Sequence, residues 1–428
     1  MSLSQFAKSH PNPRQRRKYL AAVEDLAANP LSLLKDARVK AFIKNERMPD
    51  LDWDNLKPPR MIQSRSTRFT ALLGKYLKPI EKWLWGSCLQ PLRHLFSKDM
   101  NNLEIGKRLT QLGDKSNHGD VPLCGRLVYI LNDFSRYDST QSSCLLREEA
   151  KIYKDAGAAY RASRTLSLLL NAQINNRCRT RFGIQYSSIG RRMSGDYNTS
   201  LGNTIVNYLA LESLSRLTGI KYDAVINGDD SVICIREQDL DAYLAFSEVH
   251  FARLGLITKM NVVRDLHEVD FCQGKIVDTA EGYKLVRHPA RALSHTAVSI
   301  KRYGSKRWLA WLRAVGECEV ACNRGVPIMQ SLGLCLMRNA WANGRVNAAY
   351  DRDLWYRKAG MRVAVLPVTD TARFWFWTAF GVTPDEQRRL ESWYDNLTFV
   401  GPDFTRTLDA VDVQSLPPVD TAWMASLR

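Results

Sequence analysis

Two β-branched runs, Ala224-Val225-Ile226 and Val232-Ile233-Cys234-Ile235, flank the tetrapeptide Asn227-Gly228-Asp229-Asp230. Apolar β-branched residues favour strands, and the Asn-Gly-Asp sequence between them favours a tight reversal. The segment therefore predicts a hairpin that carries two adjacent carboxylates at its tip. Alone this turn is weak evidence of chemistry, because aspartate and glycine suit turns for reasons unrelated to metals.

Its neighbours give it weight. An apolar run, Leu127 to Leu131, leads to Asp133-Phe134-Ser135-Arg136-Tyr137-Asp138, which predicts a buried strand with two aspartates at its exit. If the two strands lie side by side, Asp133 and Asp229 converge at one end of a sheet. Oxygen ligands so arranged suit two magnesium ions about 3.5–4 Å apart. One ion lowers the pKa of an attacking 3′-hydroxyl, and the other holds a triphosphate and stabilises the leaving pyrophosphate. Between these segments, Ser194 to Asn198 predicts a mobile polar loop, followed by a helix from about Ser200 to Leu217 that Gly219 stops. Thr199 and Ser200 suit capping. Asn203 falls in the first turn, where an amide near Asp138 is able to test for a ribose 2′-hydroxyl.

With 428 residues, 45% of them hydrophobic, the chain is able to bury a core in more than one subdomain. The formal net charge of +17 favours a polyanionic partner, nucleic acid first and an anionic membrane surface second. Between Asp155 and Asp196 stand seven arginines and no acidic residue, which predicts a wall facing nucleic acid, with Arg179 and Arg181 in it. The nine cysteines include no Cys-x-x-Cys pair, and Cys318 and Cys322 lack a nearby histidine, so free thiols in a reducing compartment are expected. Residues 1 to 18 show no signal-peptide pattern. The longest charge-free run, Tyr197 to Leu211, is shorter than the roughly 20 apolar residues of a membrane helix. A soluble chain is expected, with any membrane attachment peripheral or through a partner.

Elsewhere the pattern predicts a basic, helical arm over the first 40 residues and an extended, Pro-interrupted stretch from Ala41 to Arg68. Helical periodicity follows at Leu72, Leu73, Tyr76, Leu77 and Ile80. Residues 143 to 177 read as helical, and Cys178 to Met193 as two short strands punctuated by Gly183 and Gly190. A helix is expected over Leu240 to Leu254 and a strand pair over Val269 to Val286; from His288 the chain reads as mainly helical.

The order and spacing of Asp133-x4-Asp138, Ser194-Gly195-Asp196-x2-Thr199-x-Leu201-Gly202-Asn203 and Gly228-Asp229-Asp230 resemble motifs A, B and C of the RNA-dependent RNA polymerases of positive-strand RNA viruses. The tombusvirus-like group is the most similar, and the resemblance covers about residues 40 to 300. It implies an α+β right-hand polymerase fold: fingers, a palm with an antiparallel sheet, and a helical thumb, closed by N-terminal finger segments. The implied segments are 1–126 for the N-terminal arm and fingers, 127–142 for the palm, 143–187 for fingers, 188–287 for palm and 288–428 for thumb. Asp133 and Asp229 would be the principal metal ligands, assisted by Asp230. The ion would be Mg²⁺, with Mn²⁺ able to substitute. Asp138 and Asn203 would select ribonucleotides, and Ser194-Gly195 would form a loop that moves with translocation, with Thr199 beside the nucleotide. Phe42-Ile43-Lys44-x-Glu46-Arg47 and Lys57-x2-Arg60-x-Ile62 are similar to motif F, in which Lys44, Arg47 and Arg60 would neutralise phosphate charge. Phe271-Cys272-Gln273 resembles motif E, which braces the growing 3′ end, although a core strand is nearly as good a reading. Lys259 resembles the motif D lysine that protonates pyrophosphate, with Lys275 or no such lysine as alternatives.

The implied activity is RNA-templated addition of ribonucleoside monophosphates to an RNA 3′ end, for viral genome replication and transcription. The partners are template and nascent RNA, ribonucleoside triphosphates, and viral or host replication proteins at membranes. The implied location is host cytoplasm, at membrane-associated replication complexes. Many relatives carry a long N-terminal region with membrane-targeting segments, whereas about 40 residues precede motif F here, which leaves a separately encoded subunit or a trimmed chain. Two rival functions stay open: a reverse transcriptase, which has no use for an Asp138–Asn203 pair, and a non-enzymatic basic RNA-binding protein. Trp308, Trp311, Trp341, Trp355, Trp375 and Trp377 are expected to be thumb core.

Overall fold

The computed structural model describes residues 1–45, 58–86, 95–114, 122–158, 163–299, 303, 305–340 and 360–399. The chain is a mixed α+β protein of two compact units. One comprises Met1–Lys44, Leu56–Lys98 and Leu112–Arg264. The other includes Asp99–Gln111 and Asp265 onward.

The first unit is organised around a four-stranded antiparallel sheet in the order β6-β7-β3-β8. Its strands are β3 (Leu127–Phe134), β6 (Asp223–Asn227), β7 (Asp230–Arg236) and β8 (Thr258–Val263). In β6 and β7 successive residues are buried on both faces, in keeping with their unbroken apolar runs. β3 instead alternates: Val128, Ile130, Asn132 and Phe134 are buried and Asp133 is exposed, so the strand is covered on one face. Against that face pack the helices Thr199–Thr218 and Leu240–Arg253.

The Thr199–Thr218 helix accounts for the longest charge-free run. Val206, Ala210, Leu211 and Leu214 join the core under the sheet. Leu201 and Ile205 join a second core with Phe69, Leu73, Leu77 and Leu84 of the Thr67–Gly86 helix and Leu166 and Leu169 of the Ser163–Asn171 helix. A helix buried on opposite sides has no face for charge. Gly219, at φ 71°, ends it in the left-handed conformation that glycine adopts at least cost.

A second sheet in this unit has the order β2-β1-β4-β5, with β1 (Val39–Ile43), β2 (Met61–Ser64), β4 (Asn175–Thr180) and β5 (Gln185–Ile189). β1 runs antiparallel to β2 and parallel to β4. The expected helical stretch 143–177 is therefore two helices, Ser143–Ala158 and Ser163–Asn171, and its last residues enter β4. The N-terminal arm is three helices, Leu3–Lys8, Pro13–Ala28 and Leu33–Asp36.

The other unit holds a hairpin, β9 (Gly274–Thr279) with β10 (Gly282–Arg287), and the helices Asn102–Thr110, Pro289–His295, Ser305–Cys322, Met329–Arg338, Asp370–Phe380 and Pro384–Asn396. Gly106 lets the Asn102–Thr110 helix lie on β10, since a Cβ there would stand 2.4 Å from the Tyr283 carbonyl. Trp311 is buried in this unit's core and Trp308 and Trp375 pack against it, as expected of core aromatics, but Trp377 is exposed. Trp341 and Trp355 lie outside the described residues. Among the described residues no helix is long and apolar enough to cross a membrane.

Candidate active site

The carboxylates meet through strand register. β3 pairs with β7 from Leu127↔Arg236 to Asn132↔Ser231, so one residue further Asp133 comes level with Asp230, the first residue of β7. On its other side Asp133 pairs with Lys259 of β8. The β6–β7 reversal needs only Gly228 and Asp229, because Asn227 pairs directly with Asp230. Gly228 sits at φ 69°, the conformation that two-residue hairpin turns demand of their first central position.

Helix Thr199–Thr218 fixes this turn from beneath. Thr204 Oγ1 accepts the Gly228 N–H at 2.9 Å, and the Asn207 side-chain amide donates to the carbonyls of Gly228 and Asp229 at 3.0 and 3.2 Å. Asp229 itself is pushed up to about 6, first by burial. A backbone hydrogen bond works against the rise, while the charges of Asp230, Asp133 and Asp138 add to it. Four carboxylates thus act on one place. An all-oxygen donor set of this charge suits a hard divalent cation, whose binding would relieve the mutual repulsion. Among the described residues no three His, Cys, Asp or Glu side chains are gathered closely enough to enclose an ion. The carboxylates therefore converge without a closed coordination shell.

Asn203 and Asp138 are in direct contact: the Asn203 amide nitrogen donates to Asp138 Oδ1 at 2.8 Å. Burial raises the Asp138 carboxyl, and the Asn203 bond and the charge of Arg192 pull it back. The Asn203 carbonyl oxygen accepts from Arg192 Nε at 3.0 Å. Arg192 is buried and paired with the buried Glu149, so it cannot belong to a surface facing nucleic acid. This corrects the arginine-wall expectation at one of its seven positions, because burial beside a carboxylate satisfies the guanidinium internally. Arg164, Arg177, Arg179, Arg181 and Arg191 are exposed, and Arg161 lies outside the described residues. Arg177 and Arg179 share the exposed face of β4, where Arg179 is paired with Lys40 of β1.

The Ser194-Gly195 loop docks on β2. Ser194 Oγ donates to the Met61 carbonyl at 3.1 Å and accepts from Gln63 N–H at 3.3 Å, while Gly195 N–H donates to the Gln63 carbonyl at 2.8 Å. A Cβ on Gly195 would stand 2.7 Å from that carbonyl. Thr199 turns its hydroxyl back onto the carbonyls of Met193 and Asp196, both at 2.9 Å, and so closes the loop. Asp196 is buried against Arg65, which also donates to the carbonyls of Ala37 and Ala172.

Lys44 and Arg60 are brought together where Lys44 N–H donates to the Arg60 carbonyl at 2.8 Å, extending the β1–β2 ladder. Arg47 lies outside the described residues. In the other unit, Phe271 is buried, while Cys272 and Gln273 form a tight turn with both φ values positive, at 51° and 63°. Phe271 and Gly274 exchange backbone hydrogen bonds across that turn. The expected strand pair accordingly begins only at Gly274.

The sequence alone marks no role for Glu149, Thr204, Asn207 or Arg65, and puts Arg192 on the wrong surface. Only Asn207 left a usable signal, as a second amide one helical turn beyond Asn203 in an apolar helix.

The chain is 31% identical to the RNA-directed RNA polymerase of Groundnut rosette virus over 423 residues, which cover 94% of this chain and 48% of that protein. It is 33% identical to that of Panicum mosaic virus, covering 89% of this chain and 38% of that protein. It is 32% identical to that of Turnip crinkle virus, covering 89% and 48% respectively. The chain spans about half or less of the length of these curated relatives. The family model described as viral RNA dependent RNA polymerase matches residues 1–400, and the chain belongs to that family.

Proposed function

We propose that this chain catalyses RNA-templated RNA synthesis, transferring ribonucleoside monophosphates from triphosphates to an RNA 3′ end with release of pyrophosphate, in viral genome replication and transcription. One observation carries the reading: the β3–β7 register that brings Asp133 level with Asp230, beside Asp229. The reading extends to a right hand, with fingers in 1–126 and 143–187, palm in 127–142 and 188–287, and thumb in 288–428. The antiparallel sheet under the carboxylates supports its palm.

Asp133, Asp229 and Asp230 would hold divalent ions, Mg²⁺ with Mn²⁺ able to substitute, which supply the charge that activates a 3′-hydroxyl and stabilises pyrophosphate. Lys44, Arg47 and Arg60 offset phosphate charge. Asp138 and Asn203 read the sugar, a role that favours ribonucleotides and speaks against a reverse transcriptase. Ser194 and Gly195 form the loop that moves with translocation, with Thr199 beside the nucleotide; Lys259 donates a proton to pyrophosphate; and Arg179, Arg181, Cys272 and Gln273 contact RNA, whereas Phe271 is buried and braces its turn from within. Template and nascent RNA are the partners, with viral or host replication proteins at membrane-associated complexes in the host cytoplasm; the +17 charge supports an anionic partner.

The test is extension of a defined RNA template, with and without primer, in Mg²⁺ and then in Mn²⁺. A product complementary to the template and abolished by chelation is expected. A chain that binds the template yet makes no product in either metal contradicts the reading.

A further inference from the structure

Asn203 is an amide, and an amide presents either its oxygen or its nitrogen depending on what holds it. A guanidinium has donors and no acceptor, so the group facing Arg192 Nε must be the Asn203 oxygen. The Asn203 nitrogen is thereby turned toward Asp138. Arg192 also ties itself to the same place through its backbone, donating its N–H to the Asp138 carbonyl at 2.8 Å. The three residues close a ring of contacts in which Arg192 sets the distance and the amide sense of the other two.

Arg192 is itself held from behind. Its two terminal nitrogens both reach the Glu149 carboxylate, Nη1 at 3.2 Å and Nη2 by a shorter bond. Both side chains are almost fully buried. Glu149 is held in turn by Asn198, whose amide donates to Oε1 at 2.8 Å, and Asn198 accepts from Gln173 at 2.9 Å. Gly202 makes room for the pair: a Cβ there would stand 2.2 Å from Glu149 Oε1 and 2.7 Å from Arg192 Nη1. Such a buried ion pair is a poor device for stability, since two charges must leave water to form it. It is a good device for holding one orientation, because guanidinium and carboxylate lock each other in a planar fork.

We infer that Arg192 and Glu149 are positioning residues for sugar selection: the pair fixes the Asn203 amide so that Asn203 and Asp138 present a preset reader to the 2′-hydroxyl of an incoming nucleotide. The inference rests on the polymerase reading of this site. It predicts that loosening the pair lowers use of the ribonucleotide and leaves use of the deoxyribonucleotide unchanged, since neither residue touches the reacting atoms.

The experiment compares kcat/KM for UTP and for 2′-deoxyuridine triphosphate on a primed RNA template, using the full chain. Two variants are used. Arg192→Lys keeps a positive charge beside Glu149 without the rigid fork, and Arg192→Met with Glu149→Leu removes both charges, so neither leaves a buried charge unpaired. In each the UTP preference is expected to fall by about tenfold, the worth of one hydrogen bond, with the loss in the UTP value. In an Asn203→Ala background, Arg192→Lys is expected to change the preference no further, because it acts through Asn203. An unchanged preference, or equal losses for both nucleotides, overturns the inference while leaving the polymerase reading in place. Further loss of preference in the Asn203→Ala background overturns it too, by showing that Arg192 acts elsewhere. Failure of both variants to fold, judged by melting, assigns the pair to the core and likewise overturns it. No extension by the unmutated chain overturns the polymerase reading itself, and this inference with it.

Discussion

Asn207 donates its side-chain amide to the backbone carbonyls of Gly228 and Asp229, so the helix that carries Asn203 also holds the carboxylate turn. The Asn203–Asp138 contact and the carboxylate turn are therefore both held by one helix, through residues four apart on one face.

Replacing Asn207 by leucine keeps the volume and removes both bonds. Two partly buried carbonyls then lose a donor, at a cost of about 1 kcal/mol. Thermal unfolding is expected to show that loss. Extension assays are expected to show a fall in kcat larger than any rise in KM, because the carboxylates and not the nucleotide contacts have moved.

Gly228→Ala separates strain from crowding. Nothing lies within 4 Å of a Cβ at this position, but φ is 69°. The expected destabilisation is the backbone cost alone, about 1–2 kcal/mol. Asparagine, which tolerates this region, is expected to cost less than alanine in the same melting measurement.

The pH dependence of stability has a defined sign. Asp229 is raised to about 6 in the folded chain. Between its ordinary value and 6 the folded state binds more protons than the unfolded one, so this residue's contribution to stability falls as pH rises through that window. Without divalent ions, Asp229→Asn is expected to melt higher than the parent at pH 8 and to lose that advantage near pH 4. Adding Mg²⁺ at pH 8 is expected to raise the melting temperature of the parent more than that of the variant.

Arg177 and Arg179 offer a different test, on RNA affinity. Both are exposed on one face of β4, whereas Arg192 is buried. Replacing the two by alanine is expected to weaken single-stranded RNA binding and to reduce the slope of log affinity against log salt by roughly 0.7 for each lost phosphate contact. A fluorescence titration at several salt concentrations measures it. Unchanged slope would remove this face from the RNA path.

Much of the central site was legible because it is encoded locally. The β-branched runs around Asn227-Gly228-Asp229-Asp230 form the expected hairpin, and Gly219 ends the preceding helix where expected. The contact of Asn203 with Asp138 was anticipated from residue type and motif order. What stayed hidden depends on partners distant in sequence. An arginine facing a phosphate and one facing a buried glutamate look alike in sequence, so the charge pattern puts Arg192 with the RNA-facing arginines. Nothing local marks Glu149 rather than Glu148 as its partner. The parallel pairing of β1 with β4, Val39 with Cys178, was equally unreadable, because a long crossover leaves no turn signature. The split of 143–177 into helices and the start of β4 failed for a milder reason: Asn175 to Arg177 alternate in burial, a pattern too short to distinguish from a helix end.

The most direct measurement is RNA extension by Asp229→Ala on a primed template in Mg²⁺, with RNA affinity measured on the same preparation. RNA binding is expected to be retained and synthesis to fall to nearly nothing, since the turn held by Thr204 and Asn207 carries that carboxylate. Extension at the parent rate by the variant would contradict it.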